Sequence, residues 1–160
     1  MKQLKISCNI DVYETLDELP KDVQSLMNKA HNARSKAYAP YSKFLVGAAL
    51  ELSNGEIITG NNQENAAYPS GLCAERTAIF YAHAQFPEEA ILRMAIAAGS
   101  EHKEAETPIP PCGGCRQALV EYEQVQKKQI ELYFMGTKGQ VAHSNSVENI
   151  LPWIFDKKAL

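Results

Sequence analysis

No apolar run in this sequence approaches the ~18 residues that a membrane-spanning helix needs. Runs such as Met94–Ala98 stop far short of it. Excess positive charge is missing too. Sixteen lysines and arginines stand against 19 aspartates and glutamates, a net charge of −3, with no dense basic stretch. That balance argues against nonspecific nucleic-acid binding, which relies on clustered cations. The first residues, Met1-Lys2-Gln3-Leu4-Lys5-Ile6, are basic, but Asn9, Asp11 and Glu14 arrive where a signal peptide would carry its hydrophobic centre. There is no internal repeat and no low-complexity segment. The expectation is a cytoplasmic protein with no membrane and no nucleic-acid partner.

What is present is ordinary globular composition, 45% apolar and 22% charged over 160 residues, enough to bury a core without disulfides. Residues 1–20 read as an extended lead-in closed by Leu19-Pro20, and 21–160 as a single domain. From Lys21 to Ala37, Val23, Leu26, Met27, Ala30, Ala33 and Ala37 recur at helical spacing. Strand-like runs 44–52 and 56–60 flank Ser53-Asn54-Gly55, a hairpin signal. Helices are expected over 72–84 and 114–122, strands over 91–98, 130–135 and 140–143, a polar loop over 101–111 and a helical tail over 147–155. This order predicts an α/β fold, a three-layer α/β/α sandwich around a central mixed five-stranded sheet.

The chemistry lies in the cysteines. Cys73-Ala74-Glu75 and Pro111-Cys112-Gly113-Gly114-Cys115 each sit at an expected helix start. Unpaired N–H groups and the helix dipole favour a thiolate there. Cys73, Cys112 and Cys115 could together hold Zn²⁺ and leave one tetrahedral position open, the ligand count of a catalytic site. Three thiolates over-neutralise the ion, so a positive group is needed nearby. Arg76 is expected to donate hydrogen bonds to the cysteine sulfurs. Glu75, in the first helical turn, is placed to work as a general acid and base. A structural zinc site, or no metal at all, remains open at this point. A structural site would want a fourth ligand, with Cys8, His31, His83, His102 and His143 as the spare candidates. His83 reads as a packed helix residue, His102 and His143 as exposed, and Cys8 as an idle thiol.

Cys73-Ala74-Glu75-Arg76-Thr77-Ala78-Ile79 with Pro111-Cys112-Gly113-Gly114-Cys115-Arg116-Gln117 resembles the signature of the nucleoside cytidine deaminases. Tyr41-Ser42-Lys43-Phe44-Leu45-Val46-Gly47-Ala48-Ala49-Leu50 is similar to that family's first-strand motif. Asn62-Gln63-Glu64-Asn65-Ala66-Ala67-Tyr68 is similar to its ribose-binding segment, and Leu151-Pro152-Trp153-Ile154-Phe155 to its C-terminal motif. The resemblance runs from about Lys21 to Phe155. Leu45 stands where many members carry proline, and Gln63 where an apolar residue is common.

The resemblance implies hydrolytic deamination of cytidine and deoxycytidine. Zinc would be held by Cys73, Cys112 and Cys115, with Glu75 moving the proton from water to N3 and then to the departing amine. It further implies that Asn62 and Glu64 hold the ribose hydroxyls. Phe44 would pack on the nucleoside, and the main chain of Ala66 and Cys73 would meet the pyrimidine edge. Phe155 would reach a neighbouring subunit's site in a homotetramer, the compact type that cysteine at position 73 indicates. Taken singly, Phe44 also reads as strand core, Asn62 as a turn residue, Glu64 as a solvated charge and Phe155 as a tail anchor. Two other readings remain: a deaminase of another aminopyrimidine nucleoside such as blasticidin S, and a non-catalytic structural zinc module.

Overall fold

The computed structural model describes residues 1–157. Its sheet is mixed, with six strands in the order β1-β6-β5-β4-β2-β3. These are β1 (Asp11–Tyr13), β2 (Phe44–Leu52), β3 (Ile57–Asn61), β4 (Ile91–Ser100), β5 (Glu131–Met135) and β6 (Val141–Ser144). Three helices cover it: α1 (Lys21–Arg34), α2 (Ala74–Gln85) and α3 (Gly113–Gln126). Only β4 and β5 run parallel, joined through α3, and the other pairings are antiparallel.

The three layers follow from the two-residue period of the strands. Ala48, Leu50, Met94, Ile96, Leu132 and Phe134 point to one face and pack with α2 and α3. Their neighbours Ala49, Ala95, Ala97, Tyr133 and Met135 point to the other and meet Val23, Leu26, Met27 and Ala30 of α1. Alanine dominates the centre of β2 and β4, which lets the helices lie close. Two glycines extend this. A Cβ on Gly47 would fall 2.1 Å from the carbonyl oxygen of Ala30, and one on Gly60 2.6 Å from that of Ala74. Gly60 therefore lets the first turn of α2, with its chemical residues, press against β3.

The sheet differs from the expected one by a strand. Asp11–Tyr13, read from sequence as part of an extended lead-in outside the sheet, pairs antiparallel with β6 through Asp11 opposite His143, Val12 opposite Ala142 and Tyr13 opposite Val141. Three residues with one exposed apolar side chain carry too little pattern to announce a strand; the free edge of β6 makes it one. The helix expected to reach Ala37 ends at Arg34, and two turn bonds, from Lys36 N–H to Ala33 and Ala37 N–H to Arg34, carry the chain onward.

The expected helical tail over 147–155 is also corrected. It holds one 3₁₀ turn, Glu148–Ile150, after which Leu151 is extended (φ −130°, ψ 72°). Pro152 forbids a helical residue before it, and Trp153 takes a left-handed φ of 64°. The N–H groups of Val147 and Glu148 bond instead to the buried carboxylate of Glu123, at 2.8 and 2.9 Å. The 101–111 loop is fixed by backbone bonds to the turn before β6, Thr137 N–H to Ala105 at 2.8 Å and Gln140 N–H to Glu106 at 3.0 Å. Among the described residues, no helix is long and apolar enough to cross a membrane.

Candidate metal centre and adjoining pocket

Cys73 and Cys112 are the residues immediately before α2 and α3, each with extended backbone (φ −73° and −67°), and Cys115 lies in the first turn of α3. Two helix N-termini therefore converge on one cluster of sulfur. The three Sγ atoms all lie within 4.8 Å of one another, with Cys73 and Cys112 4.0 Å apart. Zn–S bonds of about 2.3 Å at tetrahedral angles would set sulfurs about 3.8 Å apart, so the donor set and its spacing fit a zinc ion after a small contraction. The cluster includes no fourth His, Cys, Asp or Glu atom among the described residues. Cys8 is an exposed thiol, and His83 packs edge-on against Tyr122. His143 is not exposed as expected: its ring stacks on Tyr133, with centroids 4.4 Å apart.

The electrostatics prepare the sulfurs for a cation. Accepting a hydrogen bond from Cys115 pulls the Cys73 thiol down to about 5, against the opposing effect of burial, and Arg76 adds to the pull. Nη2 of Arg76 donates to Cys73 Sγ at 3.3 Å. Cys115 is held up, first by donating a hydrogen bond to Cys73 and then by its burial. Binding a metal through these sulfurs would release their protons. Glu75 is buried at 4% exposure. Desolvation raises its carboxyl above the ordinary range, and the neighbouring Cys73 thiolate adds to the rise. A carboxyl so placed can accept a proton and return it.

Beside the sulfurs opens a cavity of about 550 Å³, lined among others by Asn62, Glu64, Leu72, Cys73 and Arg76, a size suited to a small organic molecule. Backbone bonds stitch its floor together. Gln63 and Leu72 exchange N–H···O bonds of 2.8 and 2.9 Å, and Glu64 N–H reaches Tyr38 at 2.8 Å. This ladder carries Asn62 and Glu64, distant in sequence, to the side of Cys73.

Both polar residues are already partly committed. The Asn62 amide accepts from Val46 N–H at 2.8 Å and donates to the Phe44 carbonyl at 2.9 Å. One N–H and one lone pair remain for a ligand. Glu64 accepts from the N–H groups of Tyr41 (2.9 Å) and Ser42 (3.2 Å) and from the Ser42 hydroxyl. That hydroxyl bond above all holds the Glu64 carboxyl below the usual carboxylate range.

Phe44 opens β2 with its ring partly exposed, and Ala66 lies exposed between two residues of the cavity wall, Asn65 and Tyr68. Phe155 is exposed and stands apart from this chain's own cavity wall; Gln117 of α3 donates to its carbonyl at 3.0 Å. Tyr41 and Tyr68, whose rings meet edge-to-face at 6.2 Å, line the cavity and were assigned no role from sequence. Their shared signal was only an aromatic within each quoted motif. Arg116, which bonds the carbonyls of Pro111 and Ile150 at 2.9 Å each, stood within the quoted cysteine motif but was likewise assigned no role from sequence.

Residues 20–131 match the family described as the cytidine and deoxycytidylate deaminase zinc-binding region. The chain is 40% identical over 134 residues to a protein named cytidine deaminase from Halalkalibacterium halodurans, covering 84% of this chain and 94% of that one. A cytidine deaminase from Sporosarcina psychrophila is 38% identical, covering 87% and 95%. The crystal structure of cytidine deaminase from Burkholderia pseudomallei superposes with a TM-score of 0.72 at 37% identity, covering 86% of this chain and all of the other.

Proposed function

This chain belongs to the cytidine deaminase family, and on that premise we propose that it hydrolyses cytidine and deoxycytidine to uridine and deoxyuridine with release of ammonia. The observation that carries this is the buried carboxyl of Glu75 at the head of the same helix that Cys73 caps, with a three-sulfur cluster beside it and a nucleoside-sized cavity alongside. A structural zinc module would have no use for a buried carboxyl held beside its sulfurs. The absence of a fourth ligand in the cluster also favours catalysis.

Zinc held by Cys73, Cys112 and Cys115 would supply Lewis-acid activation of water. The protein's own groups do the rest. Glu75 accepts the proton of the attacking water and returns it to N3 of the base as the C4–O bond forms. It then takes the proton of the new C4 hydroxyl and delivers it to the amino nitrogen as the C4–N4 bond breaks and the C4 carbonyl forms, so that water and cytidine become uridine and ammonia. Asn62 and Glu64 hold the sugar hydroxyls by complementary donors and acceptors. Phe44 packs on the nucleoside, the main chain of Ala66 and Cys73 borders the base, and Arg76 tempers the charge of the thiolates.

Exposed Trp153 and Phe155 leave apolar surface for another subunit. We infer a homotetramer in which Phe155 completes a neighbour's pocket, residues 21–160 acting as one catalytic unit. A cytoplasmic role in pyrimidine salvage belongs to the same proposal.

The test is loss of cytidine's ultraviolet absorbance with zinc-loaded protein, beside Glu75→Gln carrying the same zinc. Turnover by the natural chain and its loss in the variant by a factor of roughly 10² or more is the expected result. Equal behaviour of the two proteins overturns the role of Glu75. No reaction of cytidine with either moves the assignment to another aminopyrimidine nucleoside.

A further inference from the structure

The family match begins at residue 20, yet residues before it are built into the fold, through β1 on the edge of β6 and through a contact with the start of the C-terminal tail. Asn9 N–H donates to Oδ1 of Asn149 at 3.1 Å, and Nδ2 of Asn149 donates back to the Asn9 carbonyl at 2.7 Å. The side-chain amide thus imitates a strand partner, continuing the β1–β6 pairing beyond Asp11. The same Nδ2 donates to Ser144 Oγ at 2.7 Å, tying the contact to the end of β6. Ile10 packs on the core together with Leu151 and Ile154. Ile6 and Ser7 face Trp153 and Ile154 across a cavity of about 450 Å³.

The tail beyond Asn149 has a second set of anchors on α3. Arg116 holds the Ile150 carbonyl while its Nε holds that of Pro111, next to Cys112, and Gln117 holds the carbonyl of Phe155. The tail therefore runs between two supports, the lead-in on one side and the metal-bearing helix on the other. From Pro152 to Asp156 it forms no helix, and Trp153 sits in the left-handed region, a conformation that persists only when surroundings impose it.

We propose that the lead-in is a positioning element for the active site: through Asn9 and Asn149 it sets the course of the tail that presents Phe155. Its effect on substrate rests on the reading of Phe155 as part of a neighbour's pocket. Asn149 is a positioning residue; it touches no reacting atom. Without the lead-in contact the tail pivots on its α3 bonds, and the aromatic loses its fixed place over the base.

Trp153 is the only tryptophan, so its fluorescence anisotropy reports the tail directly. The experiment uses the full, zinc-loaded chain with Asn149→Ala, which removes the tail's side of the contact. Asn9→Pro removes the lead-in's N–H and leaves the tail chemically intact. In folded protein, verified by thermal melting, both variants lower Trp153 anisotropy and raise KM for cytidine roughly three- to tenfold with kcat nearly unchanged, the worth of one or two hydrogen bonds. Asn149→Asp keeps the acceptor for Asn9 N–H and falls between. Unchanged anisotropy in both variants overturns the inference. So does lowered anisotropy with unchanged KM, provided Phe155→Ala does raise KM. If Phe155→Ala leaves KM unchanged, the shared-pocket reading fails instead, and the hold of the lead-in on the tail stands or falls on anisotropy alone.

Discussion

Nη2 of Arg76 points at Sγ of Cys73 from 3.3 Å, three residues further along the same chain and less than one helical turn away. The contact puts a fixed positive charge against a thiol drawn down to about 5. It answers the charge excess of a three-thiolate site from within the motif that creates it.

Removing that charge should weaken both the metal and the chemistry. Arg76→Ala is expected to lower zinc affinity or kcat/KM by about 10- to 100-fold, the usual effect of losing a partner of a metal ligand. Competition with a chromogenic chelator, run beside steady-state kinetics, checks it. Retained affinity with retained turnover would show that Arg76 only lines the cavity.

Metal removal should be felt in stability as well as in activity. A cation bound by groups brought together only in the folded chain stabilises it by mass action. Chelation is expected to abolish turnover and lower the melting temperature, with both restored by added zinc. Cys112→Ser, altering one sulfur of three, should melt at the chelated value whether or not zinc is present.

Asn62 has structural work apart from any substrate. Asn62→Leu removes the side-chain partner of the half-buried Val46 N–H and of the exposed Phe44 carbonyl, at about 0.5–1.5 kcal/mol for each bond lost. Urea unfolding should show a loss of roughly 1–2 kcal/mol. Asn62→Asp retains the acceptor for Val46 and should lose less. KM should rise in both, because Phe44 and the vacant amide donor are disturbed together.

His31 gives stability a pH dependence. Burial first, and the Arg34 charge second, hold its folded pKa below the ordinary 6.5. The unfolded chain therefore binds the proton more readily. The contribution is complete above about pH 6.5 and is lost as pH falls through the folded value. Melting temperature should drop between about pH 7.5 and about pH 5.5, and drop less in His31→Gln. Equal slopes would assign the pH response to other groups.

Much of the site was legible because its residues are neighbours in sequence. Cys73, Glu75 and Arg76 fall within one turn of α2, and Cys112 and Cys115 within one turn of α3. Helix geometry fixes each group internally, so spacing predicted it. The layers were legible too, since alternate residues of β2, β4 and β5 face opposite helices. The lead-in strand and the non-helical tail were not. Asp11–Tyr13 is a strand because β6 has a free edge, and the tail's first N–H groups are taken by Glu123, more than twenty residues away.

By itself the sequence determined the chemical set: three thiols and a carboxyl at two helix starts, with a nearby guanidinium, in a chain patterned for helices on both faces of one sheet. Local spacing suffices for that, because helix and strand periods are properties of the backbone. Only the tertiary structure decided that the two helix starts converge within 4.8 Å. It alone set Asn62 and Glu64 beside Cys73 through the Gln63–Leu72 ladder and joined the lead-in to the tail at Asn149. The ladder pairs backbone groups that every residue carries, and Asn149 meets a residue 140 positions away, so local spacing announces neither before the chain has folded.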